Sequence, residues 1–284
     1  MTTQTSGAMR IDQTDWASFS LGDRIRHFEV EGYVVFPNTI DAPTIDRLKA
    51  SVADAPTEGR SYSEDLRTTI TPPHLISTPV AELIAHAPIT NFLRELLGDD
   101  IVFTMSVFQT TYPGAPGIVM HTDGHPYGSS IFDYEGSSPK LVRVIYYLDD
   151  LIPERAPFRL VPRSHLSFHA DANPYLRYEA HPEEITLALT AGSALVFPKD
   201  LFHATHPNVD DRPRSMIQFG YRPGWAGPIG PCTEWDPEWV VAAPKVARPF
   251  LQSRNKTGGR WTLEHRPAGM QTRAPGIDAS RWDR

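Results

Sequence analysis

Gly117-Ile-Val-Met-His121-Thr-Asp123-Gly-His125-Pro-Tyr127 comes in on apolar residues and leaves through Gly and Pro. That is the pattern of a strand running out into a loop. On a strand, residues i and i+2 share a face, so the spacing sets the His121 imidazole beside the Asp123 carboxylate. The pair supplies two of the three ligands of the two-His-one-carboxylate arrangement that holds non-haem Fe(II).

A third ligand is expected from a different strand. Gly192-Ser-Ala-Leu-Val-Phe197-Pro-Lys-Asp-Leu-Phe202-His203-Ala-Thr-His206 offers two imidazoles. His203 still sits on the apolar run, whereas His206 precedes Pro207 in a turn, so His203 is favoured. Residues 207–213 read as a hairpin turn and Arg214 to Tyr221 as the return strand. On that reading His203 and Arg214 face each other across the hairpin. The planar guanidinium of Arg214 suits a dicarboxylate, which it takes through two charge-assisted hydrogen bonds. Arg212, lying in the turn, is the better partner for Asp210 or Asp211. His125 competes with Asp123 in an H-x-D-x-H metal site, but no further His/Asp pairs stand beside it, so it reads as substrate-facing or solvated.

The chain has 284 residues, 40% of them hydrophobic, and a formal charge of −7. It can bury a sizeable core, and its acidity gives no reason to expect nucleic acid or an anionic membrane as partner. No apolar run reaches the length of a membrane span, and no secretory signal is visible at Met1 to Leu21. The lone Cys232 excludes an internal disulfide and a cysteine metal cluster. These features point to a cytoplasmic protein.

Along the chain, residues 1–27 read as an N-terminal arm: 1–21 loose and anchored by Trp16, then a short helix from Leu21 to Phe28. Gly32 to Phe36 is a short strand, and Asp41-Ala-Pro43 opens a helix with an acidic cap and an early proline. Residues 55–75 show no clear element, and Val80 to Leu97 reads as one helix. From Ile101 the period changes to two, giving strands at Ile101–Tyr112, Ile118–Asp123, Leu141–Leu148, Phe158–Val161, Ala194–Phe197, Leu201–Thr205 and Arg214–Tyr221. Short strands behind helices predict a mainly β fold, a sandwich or barrel with a helical cover. Residues 223–284 read as a C-terminal wrap, with Trp225, Trp235 and Trp239 as packing residues.

His121-Thr-Asp123, then His203, then Arg214 in that order resembles the phytanoyl-CoA dioxygenase family of Fe(II)/2-oxoglutarate oxygenases. Phe28-Glu-Val-Glu-Gly-Tyr-Val-Val-Phe36 with the Asp41 helix, and Gly192 to Phe197 ahead of the distal histidine, look like the same family. The resemblance spans about residues 28–222 of one domain covering 1–284. It implies a double-stranded β-helix, a jelly-roll or cupin-like core, with Fe(II) held by His121, Asp123 and His203. It implies 2-oxoglutarate as cosubstrate with its far carboxylate on Arg214, O2 as oxidant, and release of succinate and CO2 as a small molecule is hydroxylated. Gln109 and Tyr146 are strand residues placed to touch 2-oxoglutarate, or are ordinary satisfied polar groups of the sheet. Arg143 and Tyr147 alternate on one strand and line either the substrate channel or an outer face.

Two departures stand out. The family often has Pro-Gly-Ser-His where this chain has Pro162-Arg-Ser-His165, and Asn-Gly where it has Ala156-Pro157. Both read as turns away from the metal. Asp123 argues against halogenation, since related halogenases have a small residue there. It leaves open desaturation, cyclisation and epimerisation. Residues 55–75 and 124–140 are expected lids. The competing readings are a cupin-type metalloenzyme without cosubstrate and a non-catalytic binding protein on the same fold.

Overall fold

The alternating apolar positions from Ile101 onward form strands that sort into two antiparallel sheets. The computed structural model describes residues 9–60, 63–123, 141–166, 181–228 and 231–257. The larger sheet contains β1 (Val34–Phe36), β2 (Glu58–Arg60), β3 (Glu64–Ile70), β4 (Ile101–Thr111), β6 (Val142–Tyr147), β9 (Ala194–Pro198) and β11 (Arg214–Pro223). Their order is β1-β9-β6-β11-β4-β3-β2. The smaller sheet holds β5 (Ile118–His121), β7 (Phe158–Leu160), β8 (Ile185–Leu187) and β10 (His203–Thr205), in the order β5-β10-β7-β8. Two such sheets with crossing connections make the jelly-roll core that the sequence predicts.

Helices cover the larger sheet: α1 (Leu21–Glu31), α2 (Ala42–Ala50), α3 (Thr78–Leu83) and α4 (Ala87–Leu97). Their starts are written locally. Ser20 and Asp23 form a reciprocal capping box on α1, and the Asp41 carboxylate accepts the Thr44 N–H at 3.0 Å on α2. Phe92 of α4 is fully buried against Phe28 and Phe36, a burial that contributes about 1.5–3 kcal/mol. The Val80 to Leu97 run is two helices, not one. The break falls at Ile84–His86, just before Pro88, which sits in the first turn of α4; a proline there marks a helix start.

Three other expectations are corrected. Within residues 55–75, β2 (Glu58–Arg60) and β3 (Glu64–Ile70) pair antiparallel at the edge of the larger sheet; their polar sequence hid them. The described part of the arm is docked rather than loose, since Ile11 bridges to Thr186 and Trp16 is buried against His27 and Tyr33. The third is at the two family departures. Ala156 and Arg163 keep positive φ, 45° and 65°, the left-handed conformation that a glycine adopts without strain. Arg163 offsets the cost through its N–H to the Glu31 carbonyl at 2.9 Å and an ion pair with Glu183 at 3.1 Å. Ala156 is not remote from the site, because its carbonyl receives Arg214 Nη2 at 3.4 Å.

Gly192, in the turn that leads into β9, has φ 87°, and a Cβ there would overlap the carbonyl oxygen of Ile40. Backbone cannot move aside as a side-chain tip can. Gly192→Ala is therefore expected to cost at least about 2 kcal/mol in chemical denaturation. A loss within error of zero would mean the turn rearranges freely.

Beyond β11 the chain folds back on the sheet. Fully buried Arg222 donates to the carbonyls of Ala226, Arg254 and Lys256 at 2.8–2.9 Å. One guanidinium thus pins the described C-terminal stretch, including α5 (Pro237–Ala242), to the core. Among the described residues, no helix is long and apolar enough to cross a membrane.

Candidate active site

β5 and β10 are neighbours in the smaller sheet, and His203 is registered directly opposite His121. Opposed residues of an antiparallel pair send their side chains to one face, and the two ring centres are 4.4 Å apart. Asp123 lies in the bend just past β5 rather than on the strand. Its N–H bonds to the Lys199 carbonyl at 2.9 Å, fixing the bend against the end of β9. Asp123 Oδ1 stands 3.7 Å from His121 Nε2 and 3.6 Å from His203 Nε2. One ligand atom from each residue lies within 4.8 Å of the others, and all three residues are buried.

The surrounding hydrogen bonds set the roles of these atoms. His121 Nδ1 meets the Val119 carbonyl at 2.7 Å and His203 Nδ1 the Leu201 carbonyl at 2.9 Å. A carbonyl only accepts, so each Nδ1 carries the hydrogen and each Nε2 keeps a lone pair for a metal. Arg143 Nε donates to Asp123 Oδ2 at 2.7 Å, leaving Oδ1 turned toward the two imidazoles. Burial alone would raise the Asp123 pKa, but Arg143 and the two imidazoles outweigh it and hold the carboxyl below its usual range. Burial pushes His203 down. Two neutral imidazoles and one carboxylate are the donor set that Fe(II) takes in such sites, so the residues fit that metal. Removing the Arg143 contact by Arg143→Met is expected to weaken Fe(II) binding about 10–100-fold, read by iron titration against competing chelator.

The three residues open onto a cavity of about 340 Å³ between the sheets. Arg214, the first residue of β11 and fully buried, lines it as well. The hairpin expected between His203 and Arg214 does not form. Residues 207–213 cross from the smaller sheet to the larger, so the imidazole and the guanidinium approach one cavity from opposite walls. Asn208 holds this crossing by donating to the Thr111 and Arg212 carbonyls. Arg212 itself sits near Asp210 and Asp211, as its turn position implies.

Gln109 lines the cavity, registered opposite Met216 on β11. Tyr146 does not. It faces the helices, with its hydroxyl 3.1 Å from His86 Nδ1. Strand parity explains the difference, because Arg143, Ile145 and Tyr147 share the cavity face of β6 and Tyr146 points away. Tyr147 takes the place expected of Tyr146, 5.7 Å from the Arg214 guanidinium carbon to ring centre. His125 and residues 124–140 lie outside the described residues. The other expected lid, residues 55–75, contributes Arg60, Thr71, Pro72 and His74 to the cavity wall. Trp235 and Arg254 also line it, although their stretch reads as mere wrapping in the sequence.

With this geometry in place, the model of the phytanoyl-CoA dioxygenase (PhyH) family matches residues 28–216. The chain belongs to the phytanoyl-CoA dioxygenase family. It is a 2-oxoglutarate-dependent dioxygenase that uses Fe(II) and O2. Ectoine dioxygenase of Nocardia farcinica is 22% identical over 243 residues, 73% of this chain and 79% of the relative. Among solved structures, HygX from Streptomyces hygroscopicus with nickel and 2-oxoglutarate is similar at a TM-score of 0.60 and 15% identity, over 71% of this chain and 86% of its own. The epimerase SnoN from nogalamycin biosynthesis gives 0.62 at 17% identity, over 84% and 96%. These structural likenesses speak to fold.

Acid should weaken the protein through His74. Burial, with Arg254 nearby, pulls its pKa down to about 3, so the folded imidazole stays neutral. Above about 6.5 this adds no penalty, and below it the unfolded chain takes up a proton that the folded one refuses. The penalty grows to about 2 kcal/mol at about pH 5. Going from about pH 7.5 to 5 should lower Tm by about 5 °C. A His74→Asn variant with an undiminished drop would place the acid sensitivity elsewhere.

Proposed function

We propose that the enzyme hydroxylates a small organic molecule in the 340 Å³ cavity, with His121, Asp123 and His203 holding iron and Arg214 seating 2-oxoglutarate. The observation that carries this is the convergence of all four side chains on one cavity from two sheets. When bound, iron and the keto acid supply O2 activation, with succinate and CO2 as by-products. The protein's own contribution is placement and exclusion of water. Arg143 and the two backbone carbonyls aim the three ligand atoms. Arg214 neutralises the far carboxylate from the opposite wall, with Tyr147 and Gln109 within the same end of the cavity. The apolar lining of Val107, Ile118, Ile145, Phe158 and Phe197 keeps the reacting end dry.

The Asp123 carboxylate favours hydroxylation over halogen transfer, because it fills the position a halide needs. The ectoine and natural-product relatives support a small substrate, and nothing in the acidic composition calls for a membrane or nucleic-acid partner; a cytoplasmic setting fits. Anaerobic addition of Fe(II) and 2-oxoglutarate should produce a weak visible charge-transfer band. Well-folded protein that gives no band would instead be a non-catalytic binder on this fold.

A further inference from the structure

Arg214 has to be aimed before a keto acid can meet it. An arginine side chain is long and flexible, and holding it in its bound pose beforehand removes an ordering cost from binding. The loop between β6 and β7 holds it at two points. Asp149 Oδ2 accepts the Ser215 N–H at 2.8 Å, which fixes the backbone at the start of β11. The Ala156 carbonyl accepts from Arg214 Nη2 at 3.4 Å, and the Tyr147 ring lies beside the same guanidinium. Residues 147–156 thus hold Arg214 both at its backbone neighbour and at its tip.

That stretch is zipped to the crossing segment that leads into β11. The Val209 and Asp210 N–H groups donate to the Glu154 carbonyl at 2.7 and 3.0 Å, Ala156 N–H to the Pro207 carbonyl at 3.2 Å, and His206 N–H to the Pro157 carbonyl at 3.0 Å. Within this zip Ala156 takes φ 45°, a conformation that a residue with a Cβ keeps only where its surroundings impose it, and such residues cluster at ligand clamps.

The neighbouring residue supplies a second constraint. Arg155 is 4% exposed, and its Nε donates to Asp210 Oδ2 at 2.5 Å. The same guanidinium reaches the Asp150 carbonyl at 3.5 Å. Both side chains of the pair are largely shielded from water, so salt screens their attraction little. One end of the pair belongs to the loop that grips Arg214, and the other to the segment that carries Arg214. Among the described residues neither Arg155 nor Asp210 lines the cavity, so the pair acts on a ligand only through Arg214.

We propose that Arg155 and Asp210 are positioning residues for the cosubstrate. Their ion pair locks the loop that sets how far the Arg214 guanidinium extends into the cavity, and so which length of 2-oxo dicarboxylate fits between it and the metal site. This role rests on Arg214 seating 2-oxoglutarate. Against a fixed guanidinium, a keto acid one methylene longer has to buckle; a loosened guanidinium yields to it. The pair therefore governs selection by length, which loop packing alone does not impose.

The test is spectroscopic titration of anaerobic, Fe(II)-loaded protein with 2-oxoglutarate and with 2-oxoadipate, reading the visible charge-transfer band beside iron affinity and Tm. Arg155→Met should raise the 2-oxoglutarate dissociation constant about tenfold, short of the ~100-fold that a misplacement of about 1 Å can cost. 2-Oxoadipate should lose less, so the preference between the two acids narrows about threefold or more. Asp210→Asn keeps an oxygen for the Asp211 N–H and should give the same narrowing, with the double variant no worse than either single one. Arg155→Lys retains a charge for Asp210 and should fall between wild type and Arg155→Met; these two variants decide the matter if Arg155→Met does not fold. Iron affinity should hold throughout. Variants that lower Tm but leave both dissociation constants at their wild-type values overturn the proposal, as do variants in which iron and both acids weaken in step. Wild-type protein that forms no band with either acid removes the cosubstrate from Arg214 and this role with it, a result distinct from a wild-type band that the variants leave unchanged.

Discussion

His203→Gln is expected to abolish succinate formation and to drop Fe(II) affinity by more than the ~10–100-fold that losing an outer hydrogen-bond partner costs. The reason is positional. His203 sits on the middle of the smaller sheet, paired to β5 on one side and β7 on the other, so no neighbouring imidazole can slide into its place. His206, the other candidate in the sequence, is engaged elsewhere, 3.0 Å from Thr186 Oγ1. The His203 ring is stacked on Phe158 at 5.3 Å and packed on Phe197. Glutamine is chosen because it fills most of that slot; alanine would add a cavity cost of about 2 kcal/mol or more and confuse unfolding with metal loss. Iron titration and a succinate assay check the result. Near-normal iron retention would remove His203 from the ligand set.

Arg214→Ala should raise the KM for 2-oxoglutarate by about 30-fold or more, the equivalent of the 2–5 kcal/mol lost when one member of a buried, hydrogen-bonded charge pair is cut away. Iron binding should persist, because Arg214 stands on the opposite sheet from all three metal ligands. That separation makes the pair of variants diagnostic: one loses the metal and the other keeps the metal but loses the keto acid. A cupin-type enzyme working without cosubstrate would be nearly indifferent to Arg214→Ala. Succinate formation measured against 2-oxoglutarate concentration distinguishes the two.

Both variants rest on residues that were readable from the chain, and the reasons are specific. His121, Asp123, His203 and Arg214 each sit at the end of an apolar run with a turn signal beside it, so local pattern offered them as candidates, and their order, which resembles that of the family, gave the set. What the pattern could not give was the wall each belongs to. Residues 207–213 carry strong turn residues, and a turn between two strands reads as a hairpin unless the sheets are known to be different. Tyr146 failed for another reason, while Arg143 and Tyr147 do line the cavity, the first of the two places their alternation allowed. All six residues of β6 are buried, so alternation vanishes from the sequence, and one residue of phase error exchanges the cavity face for the helix face. The phase was recoverable from Arg143, since a buried arginine needs a carboxylate and Asp123 was already assigned. Trp235 and Arg254 were hidden because their stretch has no periodicity, and the buried Arg222 that ties it down looks in sequence like any strand-end cation.

The placement of the four key side chains on two separate sheets carries a mechanical consequence. Asp123 and Arg143 form one tie across the sandwich, and a keto acid held at the metal while gripped by Arg214 would form a second, to the adjacent strand β11. Cofactor loading then acts as a rivet through the barrel. Amide hydrogens in β5 and β10 should exchange more slowly once both iron and 2-oxoglutarate are present than with either alone, and each turnover, by shortening the keto acid to succinate, would let the two halves relax.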